Sequence, residues 1–271
     1  MGTINLGIAA PEVKIARDLL SGRKVNGCQD LFVCEGLWAV SKLISQEIWV
    51  KYFFFCPDMI KTSEEQDLVD QMCDYASEAF QISQKACSRI SDRDGADGFF
   101  IVAQMPVYTL TDLENRLSDN MVIMILDGQE QPGNIGAILR SLDCAGGAFA
   151  IMTNRRVRLT HPRLIRASLG AAFMMPVAEA PMDKLTYWLA GHGFRAVLTD
   201  LTATKSYRDL DYKGRIAIVA GNEFKGISPE WRDLAIAEPI IIPMLGSCES
   251  LNVGFASTLV AYEAGLRQKG L

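Results

Sequence analysis

Three short segments hold the polar residues best placed to act on a bound molecule. In the first, residues 127–140, an apolar run gives way to Gln131-Pro132-Gly133-Asn134-Ile135-Gly136, with Arg140 following. Asn134 is placed to cap a helix, Gly136 to allow close packing, and Arg140 to stand about two turns in, with a charge that persists at any usual pH. In the second, Gly221-Asn222-Glu223-Phe224-Lys225-Gly226 follows the apolar run 216–220. Its glycines permit backbone conformations and close approaches that side chains would block, but a simple turn does not require the carboxylate of Glu223. In the third, residues 240–244 lead through Gly246 to Ser250-Leu251-Asn252-Val253 and an apolar helix. Pro243 removes a ladder donor where the strand is expected to end, and Ser250 or Asn252 is available as a cap. Amides, a hydroxyl, a carboxylate and a guanidinium act by hydrogen bonding and charge. With only His161 and His192 in the chain, a histidine metal site or histidine triad has little to draw on.

These residues need elements to carry them. At 271 residues, 49% hydrophobic and 22% charged, the chain has the length of two domains and apolar material for two cores. Residues 11–21 are spaced as a helix, 31–34 as a strand, 36–44 as a helix and 48–56 as β structure. Then come a helix over 64–76, a strand over 80–82, an N-cap at Ser83 and a strand over 98–103. A small α/β unit over residues 1–108 follows from this order. Residues 104–119, polar and containing Pro106, read as a connector. Strands over 121–126, 148–152, 196–199 and 215–220 then alternate with helices, which predicts an α/β unit over 118–271 with a largely parallel sheet. No glycine-rich dinucleotide turn or phosphate loop follows an early strand, which argues against a nucleotide-cofactor oxidoreductase. The glycines lie after late strands, so a ligand is expected on the carboxy-terminal loops of the second unit.

The net charge of −5 counts against a generic nucleic-acid binder. Yet Arg155, Arg156, Arg158, Arg163 and Arg166 occupy one stretch without an acid among them. That stretch is either a local basic face or a solvated segment whose arginines pair with acids elsewhere. Seven cysteines without a C-x-x-C pair suit a reducing compartment. No apolar run approaches the ~20 residues of a membrane span, and the amino terminus lacks the pattern of a secretory signal, so a cytoplasmic location without membrane association is expected. No metal is expected.

Taken together and in this order, the three segments resemble the SpoU/TrmH family of RNA ribose methyltransferases. The resemblance rests on Asn134, Gly136 and Arg140 (N-x-G-x-x-x-R), on Gly221, Glu223 and Gly226 (G-x-E-x-x-G), and on Ile242, Pro243, Met244, Gly246, Ser250, Leu251, Asn252 and Val253. It runs from about Met121 to the end. In the first unit, residues 31–36 and 91–102 are similar to the family's amino-terminal RNA-binding domain, although Ala96 and Asp97 depart from the pair usual there.

The resemblance implies an α/β fold: a C-terminal parallel sheet with a deep trefoil knot, a rare exception to the rule against threaded chains, plus a smaller N-terminal L30e-like α/β domain. It implies S-adenosyl-L-methionine as cofactor, held by Gly221, Ile242 and Leu251, with Leu198 or Thr199 and Met244 nearby. The implied reaction is methylation of a ribose 2′-hydroxyl in structured RNA, with 23S ribosomal RNA ahead of tRNA as substrate. The implied catalytic set is Asn134, Arg140, Glu223, Ser250 and Asn252. A general-base role for Arg140 would need an arginine side chain to give up its proton near neutral pH, so stabilising a developing alkoxide or a phosphate is the less demanding role. Glu223 would orient that guanidinium, and the amides and hydroxyl would fix ribose and phosphate. Lys14, Arg17, Arg23, Lys24, Arg155, Arg156, Arg163 and Arg166 are the implied RNA contacts, and a homodimer is the implied active form. A non-catalytic RNA-binding protein of the same fold is the rival from another class. A knotted enzyme acting on a base nitrogen would lack the S-L-N-V string.

Overall fold

The computed structural model describes residues 4–91 and 97–271. The part of the resemblance over 91–102 that falls on residues 92–96 lies outside them. The chain forms two compact units, Met1–Pro106 with Leu159–Arg166, and Val107–Arg158 with Ala167–Leu271. Residues 159–166 group with the first unit, so the units differ from the two continuous blocks, 1–108 and 118–271, expected from sequence.

The first unit runs β1 (Ile4–Leu6), α1 (Pro11–Leu20), β2 (Leu31–Glu35), α2 (Val40–Ser45), β3 (Val50–Phe55), α3 (Ser63–Tyr75), β4 (Glu78–Ile82), α4 (Gln84–Ile90) and β5 (Phe99–Gln104). Its sheet has the order β1-β4-β3-β5-β2. β1, β4 and β3 are parallel, and β5 is antiparallel to β3 and β2. The buried strands β2 and β5 read as unbroken apolar runs because helices or loops cover both of their faces. Ser83 caps α4 by accepting the Ala86 N–H. The helix expected over 36–44 begins later, because Gly36 at φ 98° and a 3-10 turn over Leu37–Ala39 precede α2.

The second unit runs α5 (Leu110–Glu114), β6 (Met121–Asp127), α6 (Pro132–Cys144), β7 (Phe149–Thr153), α7 (Pro162–Ser168), α8 (Ala171–Met174), β8 (Val177–Glu179), α9 (Met182–Gly191), β9 (Phe194–Thr199), β10 (Arg215–Ala220), β11 (Ala237–Ile240) and α10 (Val253–Lys269), with most of α7 grouped in the first unit. Its six-stranded sheet has the order β11-β9-β10-β6-β7-β8, and every neighbouring pair is parallel. One core layer gathers Ile123, Ile125, Phe149, Trp188, Phe194, Val219 and Trp231. On the sheet's other side α10 packs against α6, β10 and β6.

Because all six strands run the same way, their carboxyl ends share one edge. The segments after β6, β10, β9 and β11 therefore meet there, since these strands are consecutive in the sheet. β11 ends at Ile240, so Pro243 lies in the following loop and not at a strand end. Pro239 within β11 is tolerated because that strand is an edge. No described helix is long and apolar enough to cross a membrane.

Candidate active site

The loop after β10 is closed upon itself: the Asn222 N–H donates to the Gly226 carbonyl at 2.8 Å, and the Gly226 N–H returns to Asn222 at 2.9 Å. A Cβ on Gly221 would stand 2.5 Å from the backbone of Gly226 and Ile227, so only glycine fits where strand end and loop end pass. Gly226 takes φ 71°, the left-handed region that glycine enters without a steric penalty. The Asn222 side chain braces this loop inside and out. Its Oδ1 accepts the N–H of Phe224 and Lys225, at 2.9 and 3.0 Å, and its Nδ2 donates to the Gly128 carbonyl at 2.7 Å. Gln129, buried after β6, donates through Nε2 to the carbonyls of Gly221 and Ala220, at 2.5 and 3.3 Å. The β6 and β10 loops are thus stitched in both directions.

Glu223 completes the stitching. One carboxylate oxygen accepts the Glu130 N–H at 3.0 Å, and the other accepts the Gln131 N–H and Asn134 Nδ2, each at 3.0 Å. The carboxylate therefore sits at the amino terminus of α6 and satisfies donors at its entrance, where negative charge is also favoured by the helix dipole. Partial burial works to raise its pKa. The N–H groups of Glu130, Glu223 itself and Gln131, with the Asn134 amide, outweigh that effect and hold it below the ordinary carboxylate value.

Asn134 is not the helix cap expected from sequence. Pro132 starts α6 two residues earlier, Gln131 is the N-cap, and no side chain caps it directly. Inside the first turn, the Asn134 side chain is free to bridge: Nδ2 to Glu223, and Oδ1 accepting from Asn252 Nδ2 at 3.3 Å. Asn252 is the N-cap of α10, its Oδ1 accepting the Gly254 N–H at 2.8 Å. One hydrogen-bonded chain, Glu223 to Asn134 to Asn252, joins all three segments. Arg140 lies farther along α6, exposed, with no hydrogen bond or ion pair among the described residues. The expected Glu223 to Arg140 pair does not form, because α6 has already taken the Glu223 oxygens.

A cavity of about 420 Å³ opens beside this chain. Thr199, Gly221, Ile242, Met244 and Leu251 of the expected cofactor set line it, as do Glu223, Ser250 and Asn252 of the catalytic set. Leu198 does not. It is 1% exposed and packs in the core, since consecutive strand residues point to opposite faces and Thr199 takes the cavity side. Asn222, Gln129 and Asp200 were not among the expected site residues. Asn222 stood inside a glycine-bounded turn, where an Asx side chain commonly bonds the backbone two residues on. Asp200, on the cavity wall, receives the Arg232 guanidinium at 2.9 Å and the Thr202 N–H and hydroxyl. Burial opposes its ionisation, but those bonds prevail and its pKa is lowered. Among the described residues, no group of three or more His, Cys, Asp or Glu side chains is arranged to hold a metal ion.

The basic residues expected to meet RNA are partly engaged. Arg17 and Arg23 both reach the Asp18 carboxylate, at 3.0 and 3.3 Å, while Lys14 and Lys24 are exposed. Arg155 pairs with Glu179 at 3.0 Å and Arg166 with Glu35 at 3.6 Å; Arg156 and Arg163 are exposed. Two of the arginines in the 155–166 stretch thus have acidic partners remote in sequence, and the stretch itself is divided between the two units.

Residues 121–262, which contain the whole bonded chain and its cavity, match the SpoU rRNA Methylase family. The chain belongs to this family. It is 32% identical over 174 residues to a 23S rRNA (uridine(2479)-2'-O)-methyltransferase of Streptomyces viridochromogenes, an alignment taking in 62% of this chain and 59% of that protein. It thus spans about three fifths of that curated relative. The crystal structure of an RNA 2'-O ribose methyltransferase superposes with a TM-score of 0.82 at 31% identity, over 100% of both chains. An AdoMet-bound rRNA methyltransferase from Sinorhizobium meliloti shares the fold, with a TM-score of 0.85 at 24% identity over 97% of each chain. Within the SpoU family frame, Glu223, Asn134 and Asn252 belong to three sequence motifs and one bonded unit.

Proposed function

We propose that this SpoU family member is an S-adenosyl-L-methionine-dependent methyltransferase acting on a ribose 2′-hydroxyl of structured RNA, with 23S ribosomal RNA as substrate in the cytoplasm. The observation that carries the reading is the Glu223 to Asn134 to Asn252 chain at the edge of the cavity. Family membership and the whole-chain likeness to a ribose methyltransferase support the reaction class.

The residues present suit the cofactor. Gly221, whose lack of a side chain lets the strand end and the loop end pass closely, lines the cavity with apolar Ile242, Met244 and Leu251, a lining for a nucleoside and a thioether chain. When bound, S-adenosyl-L-methionine supplies an electrophilic methyl group on a sulfonium. Thr199, Gly221, Ile242, Met244 and Leu251 are the residues we assign to holding it. Asn134, Ser250 and Asn252 orient ribose and phosphate by neutral hydrogen bonds, and Glu223 acts through Asn134. Arg140, a cation without a neutralising partner among the described residues, stabilises the negative charge that grows on the ribose oxygen as its proton passes to solvent water.

The knot belongs to the same reading. β11 is at the sheet edge, yet the next helix, α10, packs on α6, β10 and β6 in the middle, so residues 241–252 must travel back past the β10 loop. Homodimer formation is supported by α10, which leaves Phe255, Leu259, Tyr262 and Leu266 exposed at helical spacing along one face. For the first unit, an L30e-like RNA-binding role is supported by exposed Lys14 and Lys24.

The test is transfer of labelled methyl from the cofactor into unmodified ribosomal RNA and, separately, tRNA, with Arg140→Ala as control and mapping of the labelled nucleotide. Label on a 2′-O-methyl nucleotide of 23S RNA that vanishes with Arg140→Ala is the expected result. Label in tRNA alone would replace the substrate, and RNA binding without transfer would make the protein a non-catalytic binder.

A further inference from the structure

Phe224 stands beside Glu223 on the cavity lining, and it is 79% exposed. Nothing in the loop's own construction calls for an aromatic there: Gly221 and Gly226 make the turn, Asn222 braces it, and Glu223 holds α6. The ring is nevertheless carried on a fixed backbone. Its N–H is bonded to Asn222 Oδ1, and the two Asn222–Gly226 backbone bonds close the loop around it. The next residue, Lys225, is exposed and without an ion pair among the described residues. A flat apolar face at a cavity mouth with a free cation next to it matches the two parts of a nucleotide, since bases stack on aromatic rings and phosphates pair with ammonium groups.

The proposed reaction gives such a platform a purpose. A 2′-hydroxyl enters a cavity in line with a methyl group more readily from a nucleotide splayed out of a loop or bulge than from one held in a helix, and a splayed nucleotide has lost stacking that the protein can replace. We propose that Phe224 stacks on the base of the nucleotide being methylated, and that Lys225 pairs with the adjoining phosphate, so that the ribose is delivered to the Asn134, Ser250 and Asn252 cluster. This inference rests on the ribose methyltransferase reading given above. Phe224 is on this account a substrate-positioning residue, with no part in holding the cofactor.

The experiment compares Phe224→Ala, Phe224→Leu and Phe224→Tyr with the full-length wild type. It reads kcat/KM for methyl transfer to unmodified ribosomal RNA, cofactor affinity by calorimetry on the RNA-free protein, Tm and sedimentation. Alanine and leucine should each lower kcat/KM by roughly 5- to 150-fold, the range that base–aromatic stacking spans, while tyrosine retains most of the activity. Cofactor affinity, Tm and sedimentation should not change. Once the methylated position is mapped, an RNA with an abasic ribose there should slow the wild type by a similar factor and slow Phe224→Ala no further. Wild-type behaviour of the leucine variant would overturn the stacking role. Weakened cofactor binding by Phe224→Ala would put the ring on adenine instead, and altered sedimentation would put it in a subunit contact; either overturns the proposal. A wild type that methylates no RNA pool would remove the functional reading itself, a result distinct from an active wild type indifferent to Phe224.

Discussion

The Glu223 carboxylate reaches the Asn134 side-chain amide at 3.0 Å while it also accepts the N–H groups of Glu130 and Gln131. One side chain of the β10 loop therefore closes the entrance of α6 and fixes the orientation of the amide inside its first turn. With Nδ2 turned to a carboxylate, Asn134 must present Oδ1 to Asn252, so the amide orientation at the centre of the site is dictated by Glu223.

Glu223→Gln keeps the shape but exchanges one acceptor oxygen for an N–H₂ group that faces donors. Bonds to a charged acceptor contribute more than neutral ones, so the variant should lose about 2 kcal/mol of stability, read as a lower urea midpoint at neutral pH. The pH dependence has a definite sign. The folded carboxyl titrates below its ordinary value of 4.5. Its contribution is thus complete above that pH and lost as pH falls through the folded pKa. Urea unfolding between about pH 3 and 6 should show a steeper acid loss in the wild type than in Glu223→Gln, over the range where carboxyls titrate.

Asn134→Asp places a second carboxylate against Glu223. Repulsion at this distance disfavours both ionised forms, so the variant should be less stable than the wild type at pH 7 and approach it as one carboxyl protonates. Transfer activity should fall at every pH, because the donor to Glu223 and the fixed amide orientation are both gone. A variant whose Tm deficit does not narrow toward acid pH would show that the two side chains do not meet in solution.

Gly221→Ala brings a methyl group to 2.5 Å from backbone atoms that cannot swing aside. Overpacking of this sort costs about 1–3 kcal/mol and shifts the backbone. Because Gly221 lines the cavity and its carbonyl takes the Gln129 amide, cofactor affinity measured by calorimetry should drop together with Tm. Gly246, whose added Cβ would meet nothing within 4 Å, is the matched control: Gly246→Ala should leave Tm near the wild-type value.

Much of this arrangement was visible in the chain before folding. The strands β6 and β10 announce themselves as apolar runs because they are covered on both faces, and the paired glycines at 221 and 226 foretell the close passage that forbids a side chain. The short strands β1 and β8 were not foreseen, and the strand expected to end at Pro243 is the short β11, which ends at Ile240. Three or four residues at a sheet edge carry too little periodicity, and β11 contains a proline. Partner choice was harder still. Glu223 and Arg140 are an obvious pair by charge, but backbone N–H groups have no sequence signature, and they claim the carboxylate first. Arg155 and Glu179 meet only because β7 and β8 are neighbours in the sheet, a fact of topology that no local pattern contains.

Arg140 offers the cleanest separation of activity from stability. Its side chain is exposed and makes no hydrogen bond or ion pair among the described residues, so Arg140→Ala should change stability by no more than about 0.5 kcal/mol. If the guanidinium stabilises the growing negative charge on the ribose oxygen, the same change should lower kcat by about 10²–10³, as loss of one preorganised donor does elsewhere. Arg140→Lys, which keeps the charge without the planar fork, should fall between. The pH profile separates the two chemical roles. A stabilising cation contributes no inflection of its own in the accessible range. A general base would need a depressed pKa and would show activity rising through it, an inflection that Arg140→Lys would move and Arg140→Ala would abolish. A kcat profile for wild type without such an Arg140-dependent step, combined with unchanged Tm for Arg140→Ala, is the expected result; a large fall in Tm would mean instead that the exposed guanidinium has a structural partner in solution.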